Sequence, residues 1–149
     1  IAYTLGEKIF EETAGEDPES MEALAGKRVL LVDDNELNRE IMKEVLVEHG
    51  LMVEEAGNGN EAVAAVKANE PGYYHFILMD IEMPVMDGYE ATVKIRKLPN
   101  RIRANIPIIA LTANAVAENR ERAAVIGMDD FLVKPTNSAR LLRSLAKFQ

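Results

Sequence analysis

Three carboxylates, one hydroxyl and one ammonium are the side chains in this sequence best placed to do chemistry. Asp33 and Asp34 follow "VLLV", Asp80 ends "FILMD", Thr112 ends "IIALT" and Lys134 follows "FLV". Each stands where an apolar run stops. Three carboxylates brought together repel, and all three cannot ionise cheaply without a counter-charge. A divalent cation supplies it. Oxygen-only donors point to Mg2+, or Mn2+ in its place, rather than zinc. The two histidines, His49 and His75, fall at element edges and are expected to be ordinary surface residues. The adjacent pair Asp33-Asp34 has a plainer use, capping the helix that follows. One aspartate would satisfy that, so the second is what calls for a metal.

Asp80 is the best candidate nucleophile. A carboxylate can attack phosphorus and form an aspartyl phosphate, a mixed anhydride that water cleaves easily. Such a transfer needs in-line positioning and neutralised phosphoryl oxygens more than covalent help. The metal would take one oxygen, Lys134 a second as a mobile point charge, and the Thr112 hydroxyl a third. Taken singly, Thr112 reads as a strand-end or cap residue and Lys134 as a surface lysine. Only their joint placement argues otherwise. Pro84 in "EMPVMDG" stiffens the loop after Asp80, and Asp87 is expected to cap the next helix. Lys134-Pro135 is an X–Pro bond whose isomer the sequence leaves open.

These residues need elements that bring them to one edge. From Lys27 onward, strand and helix patterns alternate five times. Val29–Val32 is a continuous apolar run, as expected for a strand buried on both faces. Leu37, Ile41 and Val45 then recur every four residues, with Met42 and Leu46 beside them, so they are expected to form the buried face of a helix closing near Gly50. Further strands are expected at 51–56, 76–79, 106–111 and 131–133. Helices are expected in the alanine-rich part of "NGNEAVAAVKA", at 87–98, at about 116–126, and around Leu141, Leu142 and Leu145. Alternation with short loops predicts a doubly wound α/β fold, a parallel sheet between two helical layers. Ligands in such folds bind beyond the carboxyl ends of the strands. Asp33, Asp34, Asp80, Thr112 and Lys134 all fall there.

The chain of 149 residues suits one domain and a little more, with 48% apolar and 28% charged residues. Its net charge of -8 argues against nonspecific nucleic-acid or anionic-membrane binding. No apolar run reaches the roughly 20 residues of a membrane helix, and there is no cysteine, which is compatible with a reducing cytoplasm. Residues 1–25 carry seven acids against one base, Lys8, and read as an acidic linker or the remnant of a preceding domain. "IAYTLGEKIF" within them could be a last strand of that domain. Residues 26–149 form the main domain. The first residue is Ile1, which is expected of a fragment or a processed chain.

"VLLVDDNELNRE", "FILMDIEMPVMDG", "IIALTANA" and "GMDDFLVKP", in this order and spacing, resemble the receiver domain of two-component phosphorelay signalling. The resemblance covers about residues 27–147. It implies a flavodoxin-like (βα)5 fold with strand order 2-1-3-4-5. It implies that Asp80 is the phosphoacceptor, charged by a phosphohistidine on a histidine kinase or a histidine phosphotransfer protein. Asp34 would bind Mg2+ directly, Asp33 mainly through water, and Asp80 and the backbone carbonyl of Glu82 would complete the set. Thr112 and Phe131 would be the switch pair, Phe131 standing where a tyrosine is often found. Phe131 reads equally well as a core residue. Such a domain catalyses only its own phosphorylation and dephosphorylation. The acidic linker and the opening "LAGKRVLLVDDNELNRE" resemble receivers attached to hybrid sensor histidine kinases. That implies a cytoplasmic domain of a parent chain that can be membrane-anchored.

Glu82 and Asn114 lie two residues beyond Asp80 and Thr112, positions that in this family tune phosphate lifetime. Glu82 is expected to crowd or repel an attacking water or donor. The helix around 116–126 has a weak apolar stripe and is expected to move most on phosphorylation. The alternative is a phosphohydrolase with an aspartate nucleophile, of the haloacid dehalogenase-like type. That class has its acids in a D-x-D-x-T motif, which "DIEMP" lacks.

Overall fold

The computed structural model describes residues 23–113, 116–134 and 136–148, and the backbone of 2–5 and 8–11. Asn114, Pro135 and most of the acidic segment lie outside the described residues, and with them the Lys134-Pro135 isomer and the character of that segment. In place of one expected strand near the start, β1 (Ala2–Leu5) and β2 (Lys8–Glu11) pair antiparallel as a separate two-stranded sheet.

The main sheet contains β3 (Arg28–Val32), β4 (Met52–Ala56), β5 (Phe76–Asp80), β6 (Ile108–Thr112) and β7 (Asp130–Val133). All its pairings are parallel, in the order β4-β3-β5-β6-β7. Counted within that sheet this is 2-1-3-4-5, the expected doubly wound order. The helices are α1 (Glu36–Glu48), α2 (Gly59–Ala68), α3 (Gly88–Arg96), α4 (Arg101–Ala104), α5 (Ala117–Ile126) and α6 (Ser138–Ala146). The period-two alternation of strand side chains divides the core in two. Leu30, Val32, Ile77, Met79, Ile108 and Ala110 share one cluster with Ala62, Val66, Ala91, Ile95 and Ala123 of α2, α3 and α5. Val29, Leu31, Phe76, Leu78, Ile109 and Leu111 share the other with Leu46 of α1 and Leu141, Leu142 and Leu145 of α6. Leu24, fully buried, belongs to this second cluster.

The register sets the site. Val32 is level with Met79, Asp80 with Leu111, and Thr112 with Val133. The residues that follow each strand therefore emerge at one edge.

Three expectations need correction. Leu37 and Ile41 do not face the core. They are 62% and 55% exposed, and α1 is held instead by Met42, Val45 and Leu46. A row at four-residue spacing marks a stripe, but neighbouring stripes compete for the sheet, and here the one a residue further round won. His75 is not an ordinary surface residue. It is half-buried, its Nδ1 accepts the Arg28 backbone N–H at 3.0 Å, and burial, then Lys27 and Arg28, lowers its pKa. The single-turn α4, capped by Asn100, was not expected, because four residues carry no readable period.

Candidate functional site

The acid pair emerges from β3 straight into α1. Asn35, not either aspartate, caps that helix by accepting from the Asn38 N–H. Asp33 instead accepts from the Asn35 N–H at 2.9 Å, and its backbone carbonyl accepts from Arg39 Nη1 at 2.6 Å. Arg39 also pairs with Glu55 at 3.1 Å. The capping reading of the pair is thereby removed, and both carboxylates remain for other work. Asp33 and Asp80 are buried and Asp34 is exposed. One carboxylate oxygen from each lies within 4.8 Å of the other two.

Lys134 reaches into this cluster from β7. Its Nζ lies 3.2 Å from Asp80 Oδ1 and 3.3 Å from Asp33 Oδ2. Its backbone N–H donates to the Thr112 carbonyl at 2.7 Å, which ties the end of β7 to the end of β6. Burial and the neighbouring Asp33 carboxylate push the Asp80 pKa up from 3.8 to about 6, against the opposing pull of Lys134 and of the Glu82 backbone N–H. Burial acts against the Lys134 ammonium, but the Asp80 and Asp33 carboxylates outweigh it and hold its pKa above the ordinary value. One cation is thus shared by two buried anions, and negative charge is left over. An oxygen-only, carboxylate-rich cluster of this kind suits a hard divalent cation.

Thr112 is fully buried at the end of β6, and its hydroxyl donates to Glu82 Oε1 at 3.0 Å. Phe131 is 5% exposed in the first core cluster, with the Arg120 guanidinium 4.9 Å from its ring centroid. Both readings of Phe131 start from this buried position. α5 is held by little: within it only Ala123 and Ala124 are buried, and Val116 at its N-cap is 48% exposed.

The loop after Asp80 is shaped by close approaches. Val85 has φ 71, and the Met86 N–H donates to the Pro84 carbonyl at 2.8 Å. A two-residue hydrogen bond closing over a positive φ is a γ-turn of the rare, strained kind. A Cβ on Gly88 would fall 2.4 Å from the Asp80 carbonyl oxygen, so no larger residue fits there without moving the Asp80 backbone. Asp87 caps α3 as expected, accepting from the Glu90 N–H at 2.9 Å.

Asp33, Asp34, Asp80 and Lys134 are therefore brought together, and Thr112 stands at the same edge, bonded to Glu82. Sequence reasoning missed the Glu82–Thr112 bond and the Arg39 brace. The bond joins residues 30 positions apart, and only the register of β5 on β6 makes it visible. Among the described residues no helix is long and apolar enough to cross a membrane.

Residues 29–146 match the family model of the response regulator receiver domain. The chain is 37% identical over 150 residues to hybrid signal transduction histidine kinase B of Dictyostelium discoideum, covering 95% of this chain and 7% of that protein. The chain thus spans a small part of that relative. The receiver domain of sensor histidine kinase PA1611 from Pseudomonas aeruginosa PAO1, a crystal structure with a magnesium ion coordinated in its active site cleft, superposes with TM-score 0.74 at 40% identity. That match covers 83% of this chain and 98% of the other. Chemotaxis protein CheY4 of Vibrio cholerae superposes with TM-score 0.75 at 31% identity, over 84% of this chain and all of the other. Nothing in these likenesses supports the phosphohydrolase alternative.

Proposed function

The chain belongs to the response regulator receiver domain family of two-component signalling, and on that premise we propose that Asp80 is its phosphoacceptor. An Asp80 carboxylate oxygen attacks the phosphorus of a phosphohistidine. The new P–O bond forms as the P–N bond breaks, and the imidazole leaves, taking a proton from water. Hydrolysis reverses the charging: a water oxygen attacks phosphorus, the P–O bond to Asp80 breaks, and inorganic phosphate departs.

Lys134 moves from the Asp80 carboxylate onto a phosphoryl oxygen while keeping Asp33 as its second anion. Thr112 donates its hydroxyl to another phosphoryl oxygen. Asp33, Asp34, Asp80 and the backbone carbonyl of Glu82 are the residues that would hold Mg2+, or Mn2+ in its place. When bound, the ion neutralises charge on the transferring group. The donor set fits such an ion, because its carboxylate oxygens already lie together and the negative charge there exceeds what Lys134 supplies. Thr112 and Phe131 form the switch, which passes the phosphorylated state to the weakly held α5.

The partner is a histidine kinase or a histidine phosphotransfer protein, with no nucleic acid and no membrane contact by this segment. The domain spans 26–149, with Leu24 packed into its second core cluster, after an acidic linker or the remnant of a preceding domain at 1–25, and works in the cytoplasm as part of a hybrid histidine kinase. The observation that carries the reading is the single lysine shared by two buried aspartates beside a third carboxylate.

Calorimetric titration with beryllofluoride, a mimic of the phosphoryl group, tests it. Stoichiometric binding is expected with Mg2+ present, none with chelator, and none in Asp80→Asn. Equal binding by Asp80→Asn would overturn the assignment.

A further inference from the structure

We infer that the Glu82 carboxylate competes with the phosphoryl group for the Thr112 hydroxyl, so that Glu82 sets how readily the site takes up its ligand. The inference rests on the receiver-site reading of Asp80 and Thr112. A threonine hydroxyl has a single proton to donate. Here that proton goes to Glu82 Oε1 at 3.0 Å. Thr112 is fully buried, so water does not weaken the bond from its side, and a charged acceptor makes it stronger than a neutral pair.

The backbone around the bond is fixed. The Ile81 N–H donates to the Leu111 carbonyl at 2.9 Å, and the Lys134 N–H to the Thr112 carbonyl at 2.7 Å. Redirecting the hydroxyl toward a group on Asp80 therefore falls to rotation of the Thr112 side chain. Glu82 is exposed, so its carboxylate, once released, is taken up by water at little cost. The two ends of the exchange are unequal. The hydroxyl cannot serve both anions fully, and each phosphoryl-bound molecule must first give up the bond to Glu82.

This differs from simple repulsion between Glu82 and an incoming anion. Repulsion depends on the charge alone, whereas competition also depends on the oxygen acceptor and on the Thr112 hydroxyl. Four proteins separate the two: Glu82→Ala, Glu82→Gln, Thr112→Val, and Glu82→Ala combined with Thr112→Val. Beryllofluoride affinity is measured by calorimetry at saturating Mg2+. Competition predicts that Glu82→Ala tightens binding about tenfold more in the wild-type background than in Thr112→Val, the equivalent of ~1.4 kcal/mol. It also predicts that Glu82→Gln, which keeps an oxygen for the hydroxyl but no charge, falls between wild type and Glu82→Ala.

An equal factor in both backgrounds would overturn the competition. So would a Glu82→Gln affinity equal to that of Glu82→Ala, a comparison that stands even if the Thr112→Val proteins fail to fold. A wild-type protein that does not bind beryllofluoride at all overturns the receiver-site reading and this inference with it. A wild type that binds normally while these comparisons fail overturns the inference alone.

Discussion

Replacing Asp80 by asparagine should make the metal-free protein more stable. Asp80 is 3% exposed and sits beside buried Asp33, with Lys134 only partly compensating. Its pKa stands at about 6 in the fold against 3.8 ordinarily. At ~1.36 kcal/mol per pH unit, keeping it ionised costs the native state roughly 3 kcal/mol at neutral pH. The sign follows from linkage. A group whose pKa is raised on folding contributes stability below its unfolded pKa, and that contribution is lost as pH rises through the folded value. The wild type should therefore weaken between about pH 4 and pH 6, and Asp80→Asn should not share that step. Integrated over the titration, the advantage of the variant is about 3 kcal/mol at pH 7.5 and about 1 kcal/mol at pH 4.5. Titrating groups outside the Asp33–Asp80–Lys134 cluster are common to both proteins and cancel. Urea unfolding followed by circular dichroism, in chelator at the two pH values, measures the difference. Added Mg2+ should then narrow the gap at pH 7.5, because a ligand that binds the native state stabilises it by mass action and the variant lacks one carboxylate for it. An Asp80→Asn protein no more stable than wild type at pH 7.5 would refute the reasoning. A gain that stays the same at pH 4.5 would refute it equally.

Gly88→Ala places a Cβ 2.4 Å from the Asp80 carbonyl oxygen and should cost roughly 3 kcal/mol. It should also weaken Mg2+ binding measured by calorimetry, since the Asp80 backbone must shift; unchanged affinity would argue against that coupling. Val85→Gly relieves the positive φ of the γ-turn and should raise urea stability by about 1 kcal/mol, strain relief exceeding the added freedom of the unfolded chain. A loss of stability would show that the turn is not strained. Arg96 donates to the carbonyls of Ala104, Ile106 and Gly127 and pairs with Asp129 at 2.8 Å. Arg96→Met should cost about 2 kcal/mol or more by orphaning these acceptors. Hydrogen exchange should rise first at the end of α5, where Gly127 closes the helix; a uniform rise would count against that local role.

The strand-end residues were legible because parallel strands buried on both faces read as unbroken apolar runs. Where "VLLV", "FILM" and "IIAL" stop, the chain has reached the sheet edge, so the residue types there already describe the site. Asp87 was legible as a cap for a similar local reason. What could not be read depends on tertiary choices. Leu37 and Ile41 keep the helical period as well as Met42, Val45 and Leu46 do, so the period alone does not say which stripe of α1 meets the sheet. The partner of His75, the Arg28 N–H, lies on a strand 47 positions away, so nothing local to His75 shows it. The Glu82–Thr112 bond was invisible for the same reason. An acid in an exposed loop gives no local sign of reaching a buried hydroxyl on the neighbouring strand.

In the proposed reaction Asp80 takes the phosphoryl group. Incubation with acetyl phosphate and Mg2+, followed by mass spectrometry of the intact protein and of its peptides, tests it most directly. One labile phosphoryl group should appear, located on Asp80, absent in chelator and absent from Asp80→Asn. A stable phosphate on another residue, or equal labelling of Asp80→Asn, would contradict it.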